Sequence, residues 1–115
     1  MATLANQGMA SQMSFGQLGS AFKNTASGNL TPPSGMVITA ITCLGETKFD
    51  VLTPEDEASC FGITTTTHGA GSGGVTVDNA DLFPKGITIY GRWTAVSLQA
   101  DQLTDGIICY FGPSR

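Results

Sequence analysis

The sequence predicts a small all-β protein, an antiparallel β-sandwich or barrel with an extended N-terminal arm. Three observations lead there. Beyond Gly35 the chain breaks into short runs of β-branched and aromatic residues, separated by Gly, Pro and Asp turn signals, which is the spacing of an all-β domain. After Gly35 no convincing helix longer than two turns can be drawn. The first 35 residues contain a single charged side chain, Lys23, and little that could build a core.

Residues 1–35 divide into an arm and a Pro-containing linker. Apolar points recur at Leu4, Met9, Met13, Phe15, Leu18 and Phe22 among Ala, Ser, Gly, Asn and Gln. A weak amphipathic helix within residues 2–13 is conceivable, but Gly8, Gly16 and Gly19 oppose a long one. The segment cannot bury enough surface alone. It is either a loose terminus or an arm that orders against a neighbouring subunit, anchored by Phe15, Leu18 and Phe22. Pro32 and Pro33 mark its end, since two prolines favour extended backbone and remove amide donors.

The β-domain is expected over residues 36–115. Residues 36–44 are rich in β-branched and apolar types and suit a strand buried on both faces. After a Gly45-Glu46 turn, residues 47–52 alternate imperfectly, with Phe49 and Val51 on one side and Lys48 and Asp50 on the other. Residues 54–57 begin a polar loop with room for one helical turn capped by Thr53. Four consecutive threonines favour extended backbone over residues 60–67. A glycine loop over 69–74 leads to a short strand at 75–77. Pro84-Lys85-Gly86 turns the chain into 87–90, Gly91 suggests a bulge or bend, and 93–98 continues as strand. A loop over 100–105 precedes the closing strand, 106–112.

Composition narrows the function classes. A folded part of about 80 residues buries only about 60% of its unfolded surface and is marginal alone, so it needs disulfides, a metal or association. The three cysteines are odd in number and lack CxxC spacing. Cys43 and Cys109 lie in apolar β-runs and read as buried, reduced hydrophobes. One disulfide plus a free thiol is the alternative. Neither a basic-then-apolar leader nor a run of about 18 apolar residues is present, which predicts a soluble protein made in the cytoplasm, without a membrane partner. Five basic residues scattered in a chain of net charge −4 disfavour a nucleic-acid partner.

The chemistry-bearing motifs read as structure. Residues 69–74 contain G-x-G-x-x-G, but a strand former, Val75-Thr76-Val77, follows where a pyrophosphate site requires a helix. His68 is the sole histidine and has no nucleophile elbow with it. A zinc site would need long-range convergence of Cys43, Cys60, Cys109 and His68. Neither Glu55-Asp56-Glu57 nor Asp78 with Asp81 shows calcium-loop spacing. No catalytic, cofactor or metal residue is therefore assigned. Tyr90, Arg92 and Trp93 are types that dominate binding interfaces. Trp93 suits the plug of a small core. Tyr90 and Arg92 would share a face unless Gly91 shifts the register, and they join Phe15, Leu18 and Phe22 as contact candidates.

Phe83-Pro84-Lys85-Gly86-Ile87-Thr88-Ile89-Tyr90-Gly91-Arg92-Trp93, with the apolar run 106–112 behind it, resembles a segment near the C-terminus of small virion proteins of tailed bacteriophages. Those proteins carry an F-P-x-G-x-T-I-Y-G-x-W-like stretch followed by an apolar strand ending in a tyrosine. The resemblance covers roughly the C-terminal two thirds of the chain. It implies a non-enzymatic decoration (cement) or other head protein on the capsid, assembled in the host cytoplasm. Its partners would be the major capsid protein and further copies of itself, a trimer being favoured, with no small-molecule substrate. A tail, collar or fibre-associated β-module, or a glycan-binding sandwich using Tyr90 or Trp93, are the alternatives.

Overall fold

The computed structural model describes residues 18–63 and 68–114. Five strands form one sheet: β1 (Ser20–Lys23), β2 (Met36–Cys43), β3 (Phe49–Pro54), β4 (Thr88–Leu98) and β5 (Ile107–Pro113). Their order is β1-β5-β2-β4-β3, and every neighbouring pair is antiparallel. No helix occurs among the described residues. The all-β expectation holds. The sheet stays open, with β1 and β3 at its edges, so the architecture is sandwich-like and the barrel alternative falls.

β2 occupies the centre because its residues can be buried on both faces. Val37, Ile38, Ala40, Ile41 and Cys43 are all buried. A bulge makes this possible: against β5, Ile38 pairs with Phe111 and Ala40 with Tyr110, leaving Thr39 as the extra residue. Its hydroxyl donates to the Tyr110 carbonyl at 3.3 Å. The extra residue restarts the alternation, so Ile38, Ile41 and Cys43 share the core face and Val37, Ala40 and Thr42 take the other.

The core is built of cross-strand rows. Ile38 lies between Trp93 and Phe111, Ile41 between Ile89 and Cys109, and Cys43 beside Ile107. On the β3 side, Phe49 faces Leu98 and Leu52 faces Val96. Among the described residues no second sheet covers this face. Leu30, Phe61, Ile63 and Phe83 from connecting segments pack over it. Phe83 meets Phe49 edge-on at 5.1 Å, and Phe61 meets Trp93 edge-on at 5.7 Å. Trp93 is fully buried and donates its indole N–H to the Phe61 carbonyl at 2.8 Å, so the plug is satisfied.

Several expectations are corrected in detail. Ser20–Lys23 belongs to the sheet, pairing with β5 from Tyr110 to Ile107, so the domain begins before the prolines. Leu30 reinforces this by exchanging two backbone hydrogen bonds with Val96. In β3 a register shift between Phe49 and Val51 turns Leu52, not Val51, fully inward. The turn after β3 is organised by Asp56 rather than Thr53: the Asp56 carboxylate accepts from Ala58 N–H at 3.0 Å and from the Ser59 hydroxyl at 2.8 Å. Of the strand expected over 60–67, residues 60–63 show only bridges from Ile63 to Leu52 and Val77, and 64–67 lie outside the described residues. The 75–77 strand shrinks to that Val77 bridge, and Val75 is exposed. Residues 88–98 form one strand rather than two. The helix considered within 2–13 lies outside the described residues. The turn at Pro84-Lys85-Gly86 is present, with Gly86 at φ 88°, where a side chain would be strained.

Candidate interaction surface

The pairing register that builds the core also sets what faces outward. On the opposite side of the sheet Ser20, Tyr110, Ala40 and Tyr90 form one cross-strand row. Phe22, Ile108, Thr42 and Thr88 form the next. The row ends are the most exposed: Tyr90 is 63% and Phe22 55% accessible. Tyr110 and Ile108 are half-buried between them. Thr42 and Thr88 satisfy each other through a hydroxyl pair at 2.8 Å. None of these eight positions carries a charge.

The structure thus brings two of the sequence-assigned contact residues, Phe22 and Tyr90, onto one face. They sit three strand spacings apart across the sheet and two residues apart along it, roughly 16 Å in all. Leu18 is half-buried just before β1, next to Gly19, whose carbonyl accepts from Phe111 N–H. Phe15 lies outside the described residues. Ile108 and Tyr110, which complete the face, were not singled out from the sequence. Their outward placement depends on the register with β1 and β2, which no local pattern displays.

Arg92 shares the face of Tyr90, because β4 alternates regularly from Ile89 to Trp93. Two of its three guanidinium nitrogens are nonetheless committed. Nε pairs with Glu55 Oε1 at 2.7 Å, and Nη2 donates to the Pro113 carbonyl at 2.8 Å. Both side chains of the pair are less than a third exposed. The residue therefore ties the end of β3 to the end of β5, across β2. Gly91 does not bend the strand by unusual torsion, having no positive φ. It supplies room: a Cβ there would lie 2.6 Å from Trp93 Cζ2 and 2.8 Å from Cys60 Sγ. The register irregularity between β2 and β4 falls opposite Gly91 and Arg92, at Thr39.

The remaining candidates keep their structural readings. His68 is exposed at the head of the glycine loop. Asp78 and Asp81 shape a turn, with Asp81 accepting from Asp78 N–H and Asp78 from Ala80 N–H, both at 2.8 Å. Among the described residues no three His, Cys, Asp or Glu side chains are grouped to hold a metal ion, and no helix is long and apolar enough to cross a membrane. All three cysteines are free. Burial pushes the Cys109 thiol up to about 12, with nearby Cys43 adding to the rise and Lys23 opposing it. Burial also raises the Cys43 and Cys60 thiols, the latter opposed by Arg92 N–H, which donates to its sulfur at 3.4 Å.

Comparison with protein-family models, with curated proteins and with solved structures finds no match to this chain.

Proposed function

We propose that this protein is a non-enzymatic virion component that decorates the head of a tailed bacteriophage, binding the major capsid protein through the outer face of its sheet. The observation that carries the reading is that face: eight positions over four strands, uncharged, with aromatic side chains projecting at both ends. Protein interfaces have cores depleted in charge and enriched in Tyr and Phe. Seven of the chain's nine acidic residues lie in the turns around Glu55 to Glu57, Asp78 to Asp81 and Asp101 to Asp105, while Glu46 and Asp50 lie just before and on β3, outside those four strands. The capsid itself enters through the resemblance of Phe83 to Trp93 to phage virion proteins. In physical terms that stretch puts Ile89 and Trp93 into the core and Tyr90 onto the surface. Self-association, with a trimer favoured, would supply what a core this small lacks.

The test is location and occupancy on particles of the virus encoding the chain. Label should appear over heads, at many copies per particle. Tyr90→Asp and Phe22→Asp each place a charge on the face without touching the core, and each should reduce occupancy. Label confined to tails would move the role to a tail, collar or fibre module. Full occupancy of both variants would reject the face as the contact.

A further inference from the structure

A cavity of about 230 Å³ opens beside the outer face, where β3 ends at the Pro54–Trp93 pair. Tyr90 and Arg92 of β4 line it together with Cys60, Phe61, His68 and Gly69 of the connecting segment. That volume equals about eight waters of bulk liquid. It is smaller than the 300–1,000 Å³ or so typical of drug-sized ligands. It suits a single ring. Beneath it lies Trp93, since a Cβ on Gly91, which also lines the cavity, would be 2.6 Å from the indole.

The lining selects the chemistry of that ring. Among the described lining residues Arg92 alone carries a full charge, and Glu55 pairs with it at 2.7 Å. An anionic ligand would gain little from a guanidinium whose charge is already paired. A hydrocarbon ring would strip water from the guanidinium, the imidazole of His68 and the backbone without replacing those hydrogen bonds, which costs free energy. A neutral ring with an apolar face and a rim of hydroxyls meets both needs. Its face can cover the largely exposed Tyr90, and its hydroxyls find Arg92 and His68 in the same lining. We propose that this cavity binds one neutral sugar residue of a glycan, stacked on Tyr90 and hydrogen-bonded by Arg92 and His68. This site shares Tyr90 with the sheet face proposed for capsid attachment but draws its other partners from outside the eight positions of that face, so His68 and Phe22 separate the two readings.

Trp93 supplies the readout. The full chain is titrated with neutral monosaccharides and their methyl glycosides, following emission of its single tryptophan, and in parallel is applied to an array of immobilised neutral glycans. At least one sugar should produce a saturable change or array binding. Tyr90→Ala should weaken it about tenfold or more, equivalent to about 1.4 kcal/mol, while Tyr90→Phe retains it. His68→Ala, which leaves the sheet face intact, should weaken sugar binding without altering capsid occupancy, and Phe22→Asp should do the reverse. Binding on the array alone would identify an extended glycan as the source, provided Tyr90→Ala abolishes it. No binding to any sugar, or equal affinity in Tyr90→Ala with the unliganded emission unchanged, would overturn the proposal.

Discussion

Gly91→Ala is the sharpest test of how this sheet is held together. Two explanations for a glycine inside a strand predict opposite signs. If the position needed only ordinary extended backbone, Ala would fit. It would then stabilise the protein by about 0.4–1 kcal/mol, because the unfolded chain would have less freedom to lose. The structure predicts the reverse. A methyl at Gly91 would meet Trp93 Cζ2 at 2.6 Å, Trp93 Cη2 at 2.7 Å and Cys60 Sγ at 2.8 Å. The indole cannot retreat easily, being fully buried, hydrogen-bonded to the Phe61 carbonyl and packed edge-on against the Phe61 ring. Overpacking of this kind costs about 1–3 kcal/mol, and three simultaneous clashes with a pinned ring put this site near the upper end. For a domain of this size each kcal/mol lowers Tm by about 4–8 °C, so a fall of about 10–20 °C is expected. Urea unfolding followed by Trp93 emission measures it directly, and the midpoint should drop with little change in slope. A variant as stable as the parent, or more stable, would refute the close-packing account.

Other consequences follow from the same packing. In native protein a thiol reagent should label half-buried Cys60 first, while Cys43 and Cys109 react only on unfolding. Because burial holds the folded Cys109 thiol protonated up to about 12, the unfolded state loses its proton first as pH rises. Stability should be complete below about pH 9 and decline as pH rises toward about 12, and Cys109→Ala should flatten that decline in alkaline urea titrations. Arg92→Met removes the ion pair to Glu55 and the donor to the Pro113 carbonyl, which should cost about 1–2 kcal/mol. A paired Glu55→Gln change should recover part of that loss. Deleting residues 1–28 removes β1 and the Ser97 hydroxyl's contact with the Ala26 carbonyl. It should therefore lower Tm rather than simply trim an arm, whereas a deletion stopping at residue 17 spares both.

Much of the fold was legible because its signals are local. The composition of β2, a near-unbroken run of β-branched and apolar residues, marks a strand buried on both faces wherever it lies in the sheet. Pro84 and Gly86 impose their turn through their own torsions. Trp93 reads as core because no other side chain of its size is present to fill one. Ile63 shows the opposite case: it pairs only through isolated bridges to Leu52 and Val77, and pairing requires a neighbour that no local pattern announces. β1 escaped for the same reason: Ser-Ala-Phe-Lys carries little strand character and is a strand because β5 lies beside it.

The sequence by itself determined the all-β class, the main strands and turns, and the inward role of Trp93. Those follow from side-chain shape, burial preference and backbone torsion, which act over a few residues. Tertiary structure alone decided which side chains meet. The Thr39 bulge sets the phase of β2, and that phase determines whether Tyr90, Tyr110, Ile108 and Phe22 share a face. The pairing of Arg92 with Glu55, 37 positions earlier, likewise arises only when the end of β3 is laid beside β4. Side chains alternate every second residue along a strand, so one inserted residue reverses every assignment beyond it. A surface built from four strands is therefore a property of registers, and registers exist only in the assembled sheet.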